Sequence, residues 1–204
     1  MRQADLIDYL IASGVLKTPD IIRAFKKINR KDFILAADKD NPYGDYPLSI
    51  GYSQTISQPT TVVFMLELLQ PRTGEKVLDV GSGSGWTTAL IAEIIGQSGR
   101  VYGVEKVPEL VEFGKNNLKR YDFSQAEILS ASGKLGLPPK SPFDKILVSA
   151  TANDLPQELI DQLKIGGRLV IPINNSIWQI DKISAQKIKQ QEFPGFVFVP
   201  LVND

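Results

Sequence analysis

Apolar residues recur along the chain at two spacings, and the switches between them outline its elements. Over residues 4–13, Leu6, Ile7, Leu10 and Ile11 share one helical face, and Gly14 ends the segment. Thr18-Pro19-Asp20 reads as a second helix start, with proline early and an acid in the first turn. Ile21, Ile22, Phe25 and Ile28 repeat behind it at helical spacing, so two helices are expected to cap a larger core. From Ala36 to Pro59 the periodicity disappears, because Asn41, Pro42, Gly44, Pro47 and Gly51 interrupt any regular element. The stretch also carries Tyr43, Tyr46, Leu48, Ile50, Tyr52 and Ile56, too apolar a set for a free linker. It is expected to be an ordered loop packed near an active site.

Ser57-Gln58-Pro59 opens another helix, which buries Val62, Val63, Leu66 and Leu69 and is closed by Pro71 and Gly74. Short apolar runs then alternate with helical ones. Strands are expected at 76–80, 101–104 (ending at Glu105), 126–130, 145–149 and 168–173. Helices are expected at 87–95, from Pro108 to Tyr121 and at 155–163, with Gly166-Gly167 as the exit of the last. This alternation indicates an α/β fold around a mostly parallel, doubly wound sheet. Residues 177–183, 185–190 and 196–202 read as closing antiparallel strands. One domain is expected, with helices and a substrate loop in 1–59, a cofactor-binding core in 60–173 and closing strands in 174–204.

Composition narrows the chemistry. The 204 residues carry 23 basic and 23 acidic side chains, and this zero balance weighs against a nucleic-acid partner. No cysteine is present, which excludes disulfides and a thiol nucleophile. No histidine is present either, which removes the commonest general base and most zinc or copper sites, so no metal is expected. No run of about 18 apolar residues is available to span a membrane. The polar opening Met1-Arg2-Gln3-Ala4-Asp5 lacks a signal-peptide core, so a cytoplasmic location is expected. A monomer is expected.

The chemistry concentrates in Val77-Leu78-Asp79-Val80-Gly81-Ser82-Gly83-Ser84-Gly85-Trp86, where a strand meets an acid and then three alternate glycines before a helix. Such glycines let backbone N–H groups approach a nucleotide-type ligand. The dinucleotide fingerprint G-x-G-x-x-G would need a third glycine where Trp86 stands, and the loop lacks the lysine of a phosphate-binding P-loop. Asp79 would repel pyrophosphate but suit a cationic amine. Glu105, at the end of the next strand, can accept hydrogen bonds from both hydroxyls of a ribose. An amine at one end and a ribose at the other describe S-adenosylmethionine. Trp86 and Trp178 read as packing residues.

With Gly51-Tyr52-Ser53-Gln54-Thr55-Ile56-Ser57-Gln58-Pro59 added, the sequence resembles the protein-L-isoaspartate O-methyltransferase family, a branch of the Rossmann-like class I methyltransferases. The similarity extends through Ile28-Asn29-Arg30-Lys31-Asp32-Phe33, Val104-Glu105-Lys106-Val107-Pro108, Ser141-Pro142-Phe143-Asp144, Gln162 to Pro172 and Phe198-Val199-Pro200-Leu201. It implies methylation of the free α-carboxylate of L-isoaspartyl residues in damaged proteins or peptides, the first step of their repair. It implies Ser57 as the residue orienting that carboxylate, with Gln54, Thr55 and Ile56 shaping the substrate pocket. It implies Asp79, Gly81, Ser82, Gly83, Gly85, Glu105 and Ser132 at the cofactor. An aspartyl-type carboxyl has a pKa of about 4 and is already an anion at neutral pH, so the lack of histidine is no obstacle. Ser57 could equally cap the helix that follows it.

The chain departs from the family pattern in two places. Ala131-Ser132-Gly133 stands where the family has G-D-G, and Ala150-Thr151-Ala152-Asn153 replaces a short alanine run. Two relatives of the main reading share its motifs: a carboxyl O-methyltransferase acting on ordinary aspartyl residues of a peptide, and a cofactor-binding homologue with weakened activity. An amino-methylating enzyme would carry an N/D-P-P-Y/F turn where Val148-Ser149-Ala150-Thr151 stands; Asn41-Pro42-Tyr43 lies far upstream and has a single proline.

Overall fold

The computed structural model describes residues 1–200. Its centre is a seven-stranded sheet of β3 (Lys76–Val80), β4 (Arg100–Glu105), β5 (Ala126–Ser130), β6 (Phe143–Val148), β7 (Leu163–Ile173), β8 (Ser176–Lys182) and β9 (Ile188–Pro194), in the order β5-β4-β3-β6-β7-β8-β9. The first five of these in chain order pair parallel, and β8 and β9 turn back antiparallel. Strand order reverses between β3 and β6. That reversal opens a crevice at the carboxyl ends of the two strands, the usual ligand position in an open α/β sheet.

The period of two in the strands feeds two apolar clusters. Val77, Val101, Ile128, Leu147 and Val170 pack on one side, and Leu78, Val104, Ile146, Leu169 and Ile171 on the other. The first side is thickly covered. Buried residues of α1 (Gln3–Ala12), α2 (Pro19–Lys27), α3 (Pro59–Leu69), α4 (Trp86–Ile95) and α5 (Pro108–Leu118) all join its cluster. Leu10, Leu66, Leu69 and Leu90 are fully enclosed there, each contributing about 1.5–3 kcal/mol by leaving water. On the second side, α6 (Gln157–Asp161) supplies Leu159 and Ile160.

Several boundaries differ from expectation. The helix from Pro108 ends at Leu118 rather than Tyr121. The helix expected at 155–163 shrinks to Gln157–Asp161, because Leu163 already pairs with Phe143 of β6. Gly166 and Gly167 then lie inside β7, at an irregular register where Gly166 takes φ +83°, and do not form a helix exit. The closing strand expected at 185–190 runs from Ile188 to Pro194. Residues 196–199 form no strand, and Pro200 makes only an isolated parallel bridge to Thr151. Leu201 and Val202 of that expected strand lie outside the described residues.

The aperiodic stretch holds a two-stranded antiparallel hairpin, β1 (Leu48–Gly51) and β2 (Gln54–Ile56), beside short 3-10 turns at Arg30–Phe33 and Ala36–Asp38. Tyr52 (φ 54°) and Ser53 (φ 58°) form its tip in the left-handed region, a turn usually made by Asn-Gly. Nothing in the local pattern announced it.

Candidate active site

The glycine loop leaves β3 and enters α4 with Gly81, Gly83 and Gly85 all at positive φ. A side chain at Gly85 would press on the carbonyl of Gly114, 3.2 Å from the position of its Cβ, so this glycine serves the packing of α4 against α5. A Cβ on Gly83 would stand 3.1 Å from Ile50 Cδ1, which brings the hairpin directly against the loop. The loop is pinned to the next strand. Gly81 and Ser82 N–H donate to the carbonyl of Val104 at 2.9 and 3.1 Å, and Gly83 N–H donates to Glu105 Oε2 at 2.9 Å. Glu105 Oε1 accepts from Lys106 and Val107 N–H at 2.7 and 3.0 Å. A carboxylate has about four acceptor positions and three are taken, so Glu105, at the cavity wall, keeps about one, on Oε2, for a ligand hydroxyl.

Asp79 sits beneath this loop on the central strand and is fully buried. Thr88 of α4 donates to its Oδ2 at 2.6 Å, in space left by the missing side chain of Gly103, while Oδ1 has no partner. Desolvation pushes its carboxyl up to about 7, only partly opposed by the Thr88 hydrogen bond, with the Glu105 charge adding to the rise. Ser82 Oγ is likewise buried without a partner. Ser82, on the cavity wall, offers an unsatisfied oxygen to a hydroxyl-bearing ligand, and Asp79 behind it would act on a cationic ligand as a counter-charge rather than by contact.

A cavity of about 910 Å³ opens above the loop, in the size range of small-ligand sites. Gly81, Ser82, Gly83, Ser84 and Glu105 form one wall; Ile50, Gln54, Thr55, Ile56 and Ser57 form another. All four expected substrate-side residues therefore face the expected cofactor loop across one space. Of the cofactor set, Gly81, Ser82, Gly83 and Glu105 border it. Asp79 and Gly85 lie behind the wall, and Ser132 is exposed and borders nothing, its place taken by Ala131, Gly133 and Lys134.

Ser57 is not a helix cap. The cap position belongs to Gln58, and Asp45 does the capping: its Oδ1 accepts from Thr60 N–H at 2.9 Å and its Oδ2 from the Thr60 hydroxyl at 2.7 Å. The Ser57 hydroxyl makes no hydrogen bond among the described residues and lines the cavity. Trp86 packs in the core as expected, 3% exposed and edge-on to Phe25, and also borders the cavity; sequence reasoning missed that second role and Val199-Pro200, which lines the cavity with the Val199 carbonyl held by Thr151 N–H at 2.9 Å. Among the described residues no cluster of acids could hold a metal ion, and no helix is long and apolar enough to cross a membrane.

A switch-point crevice, a glycine loop held by an acid on the neighbouring strand and a helix N-terminus at its floor define a class I S-adenosylmethionine-dependent methyltransferase. Solved structures agree. A Plasmodium falciparum protein described as a protein-L-isoaspartate O-methyltransferase, crystallised with S-adenosyl-L-homocysteine, matches over 100% of both chains with a TM-score of 0.89 at 28% identity. The chain belongs to the protein-L-isoaspartate(D-aspartate) O-methyltransferase family, whose model matches residues 1–204. Among curated relatives, protein-L-isoaspartate O-methyltransferases of Methanopyrus kandleri and Pyrococcus horikoshii are 40% and 42% identical, over 98% and 97% of this chain and 90% and 91% of theirs.

Proposed function

We propose that this chain transfers the methyl group of S-adenosylmethionine to the free α-carboxylate of L-isoaspartyl residues in damaged proteins or peptides. The observation that carries the reading is the single cavity in which the Ser57 wall faces the Gly81–Glu105 wall. The cofactor, when bound, supplies an activated methyl sulfonium. Glu105 would receive a ribose hydroxyl, Gly81, Ser82 and Gly83 would let the cofactor approach the loop, and Asp79 would provide the counter-charge beneath. Binding a cation would draw the Asp79 carboxyl from its raised value back toward ionisation, so affinity should rise with pH through about 7.

On the opposite wall Ser57 presents an uncommitted hydroxyl to one carboxylate oxygen, leaving the other free to face the methyl. Gln54, Thr55 and Ile56 shape the space around the peptide. The acceptor is ionised at neutral pH and the donor is activated, so the chain's contribution is to align the two and exclude water. An anion meeting a cation loses charge on the way to the transition state. A closed, weakly polar cavity favours that loss.

We read residues 1–59, 60–173 and 174–204 as one unit, acting as a monomer in the cytoplasm on isoaspartyl proteins, with no nucleic acid or membrane as partner; the zero net charge supports the exclusion of nucleic acid. The test is incubation of an isoaspartyl peptide with the protein and S-adenosylmethionine, followed by mass spectrometry. A methyl ester and the succinimide formed from it are expected, and recovery of unmodified peptide alone would refute the reading.

A further inference from the structure

Arg30 is a buried cation with an unusual set of partners. It is 2% exposed, and it forms no ion pair among the described residues. Its guanidinium instead meets four backbone carbonyls. Nη1 donates to Pro42 at 2.8 Å and Gly44 at 3.1 Å, and Nη2 donates to Tyr46 at 2.9 Å and Ser57 at 3.2 Å. Three of these acceptors precede the β1–β2 hairpin and the fourth follows it, so one side chain staples both ends of the loop that carries the substrate wall. The carbonyl it holds at the far end belongs to Ser57 itself. The guanidinium also lies over the indole of Trp86, 5.4 Å from the ring centroid. Trp86 is the first residue of α4, directly after Gly85, and borders the cavity.

Burying a charge without a direct ion pair is costly, even with the Asp45 and Asp38 charges nearby, and a lysine cannot reproduce a planar fork that reaches four carbonyls. Burial lowers the Arg30 pKa to about 10, so the group still carries its charge at neutral pH. Among the described residues its hydrogen bonds go to the 42–57 loop, and its cation–π contact goes to the start of α4. Ile50 against Gly83 provides a second point where hairpin and glycine loop touch.

We infer that Arg30 is a positioning residue that couples the two walls: occupation of the glycine loop settles Trp86, and Arg30 passes that order to the 42–57 loop and to Ser57. The inference rests on the methyl-transfer reading of the cavity. Coupling of this kind requires an element that both sites bias, and the stapled loop is that element.

Hydrogen exchange on the wild-type protein tests the coupling directly. Amides 43–46 border no part of the cavity. Their exchange should slow when S-adenosylhomocysteine is added, while amides 189–191 at the far edge strand should not respond. Exchange at 43–46 that ignores the ligand, or slows no more than at 189–191, would overturn the inference. In Arg30→Lys the ligand-induced slowing should disappear. The variant should bind S-adenosylhomocysteine near wild-type strength but lose about 10–100-fold in kcat/KM for an isoaspartyl peptide, through a raised peptide KM as well as a lower kcat. A change that only weakened the fold would leave both constants at wild-type values well below the melting temperature, and that result would also overturn it. Should Arg30→Lys fail to fold, the wild-type exchange decides. Should the wild type methylate no isoaspartyl peptide, the functional reading fails and the exchange result still decides the coupling.

Discussion

Asp79→Asn separates what the buried acid costs from what it does. Asp79 is wholly enclosed, one oxygen held by Thr88 at 2.6 Å and the other unpaired, and its carboxyl is raised from 3.8 to about 7. Below about pH 4 the folded and unfolded chains both carry it protonated, and burial imposes no pH-dependent penalty. Between about pH 4 and 7 the unfolded chain releases its proton while the folded chain retains it, so stability falls as pH rises; above about 7 the loss is complete. A shift of about three units corresponds to roughly 4 kcal/mol. Asparagine removes this dependence and can still accept from Thr88, but it buries an unpaired amide N–H at about 1–3 kcal/mol. The variant should therefore be more stable than wild type by about 1–3 kcal/mol at pH 8, a rise of roughly 2–10 °C in melting temperature for a chain of this size. At pH 4 the order should reverse. Calorimetry at pH 8 should show weaker S-adenosylmethionine binding despite the higher stability, since the counter-charge is gone. Scanning calorimetry from pH 4 to 8 checks the first part, and a constant difference in melting temperature across that range would refute the reasoning.

The other substitutions probe one contact each. Ser57→Ala should lower kcat about 10–100-fold while S-adenosylmethionine affinity and melting temperature stay near wild type, because the hydroxyl has no partner among the described residues; cofactor binding and stability falling together would make Ser57 structural instead. Glu105→Gln should raise the S-adenosylmethionine dissociation constant by about 10–100-fold, the loss of one or two charge-assisted hydrogen bonds. Unchanged affinity in both Glu105→Gln and Asp79→Asn would overturn the cofactor-site assignment. Asp45→Ala should cost about 1–2 kcal/mol in urea denaturation by uncapping α3, with the larger proportional effect on peptide KM rather than on cofactor binding.

What could be read from the sequence was whatever a local pattern encodes. The parallel strands and most of the helices followed from their periods, and the glycine loop with Glu105 followed from residue types at strand ends. The aperiodic 36–59 stretch was legible as an ordered, site-forming loop because it is too apolar for a free linker, and Leu48, Ile50 and Ile56 are the residues it buries, while Tyr46 and Tyr52 stay exposed. Its hairpin was not legible, since Tyr52 and Ser53 adopt left-handed conformations that neither residue favours and that the two-residue reversal between β1 and β2 requires. The shortened α6 reflects a tertiary override, in which pairing of Leu163 with Phe143 wins over helical spacing. Asp45 caps a helix 15 residues away, and Arg30 gathers carbonyls 12 to 27 residues downstream. Contacts of that range leave no trace in a window of neighbours. Trp86 reads as packing and does pack, but nothing in its position at the start of α4 hints that it also borders a cavity.

The central claim is that the Ser57 wall and the glycine-loop wall together methylate an isoaspartyl carboxylate. The most direct measurement gives the protein two peptides of one sequence, one containing L-isoaspartate and the other L-aspartate, with labelled S-adenosylmethionine. Base-labile methyl incorporation into the isoaspartyl peptide is expected, with background incorporation into its twin. Methylation of the aspartyl peptide alone would contradict it.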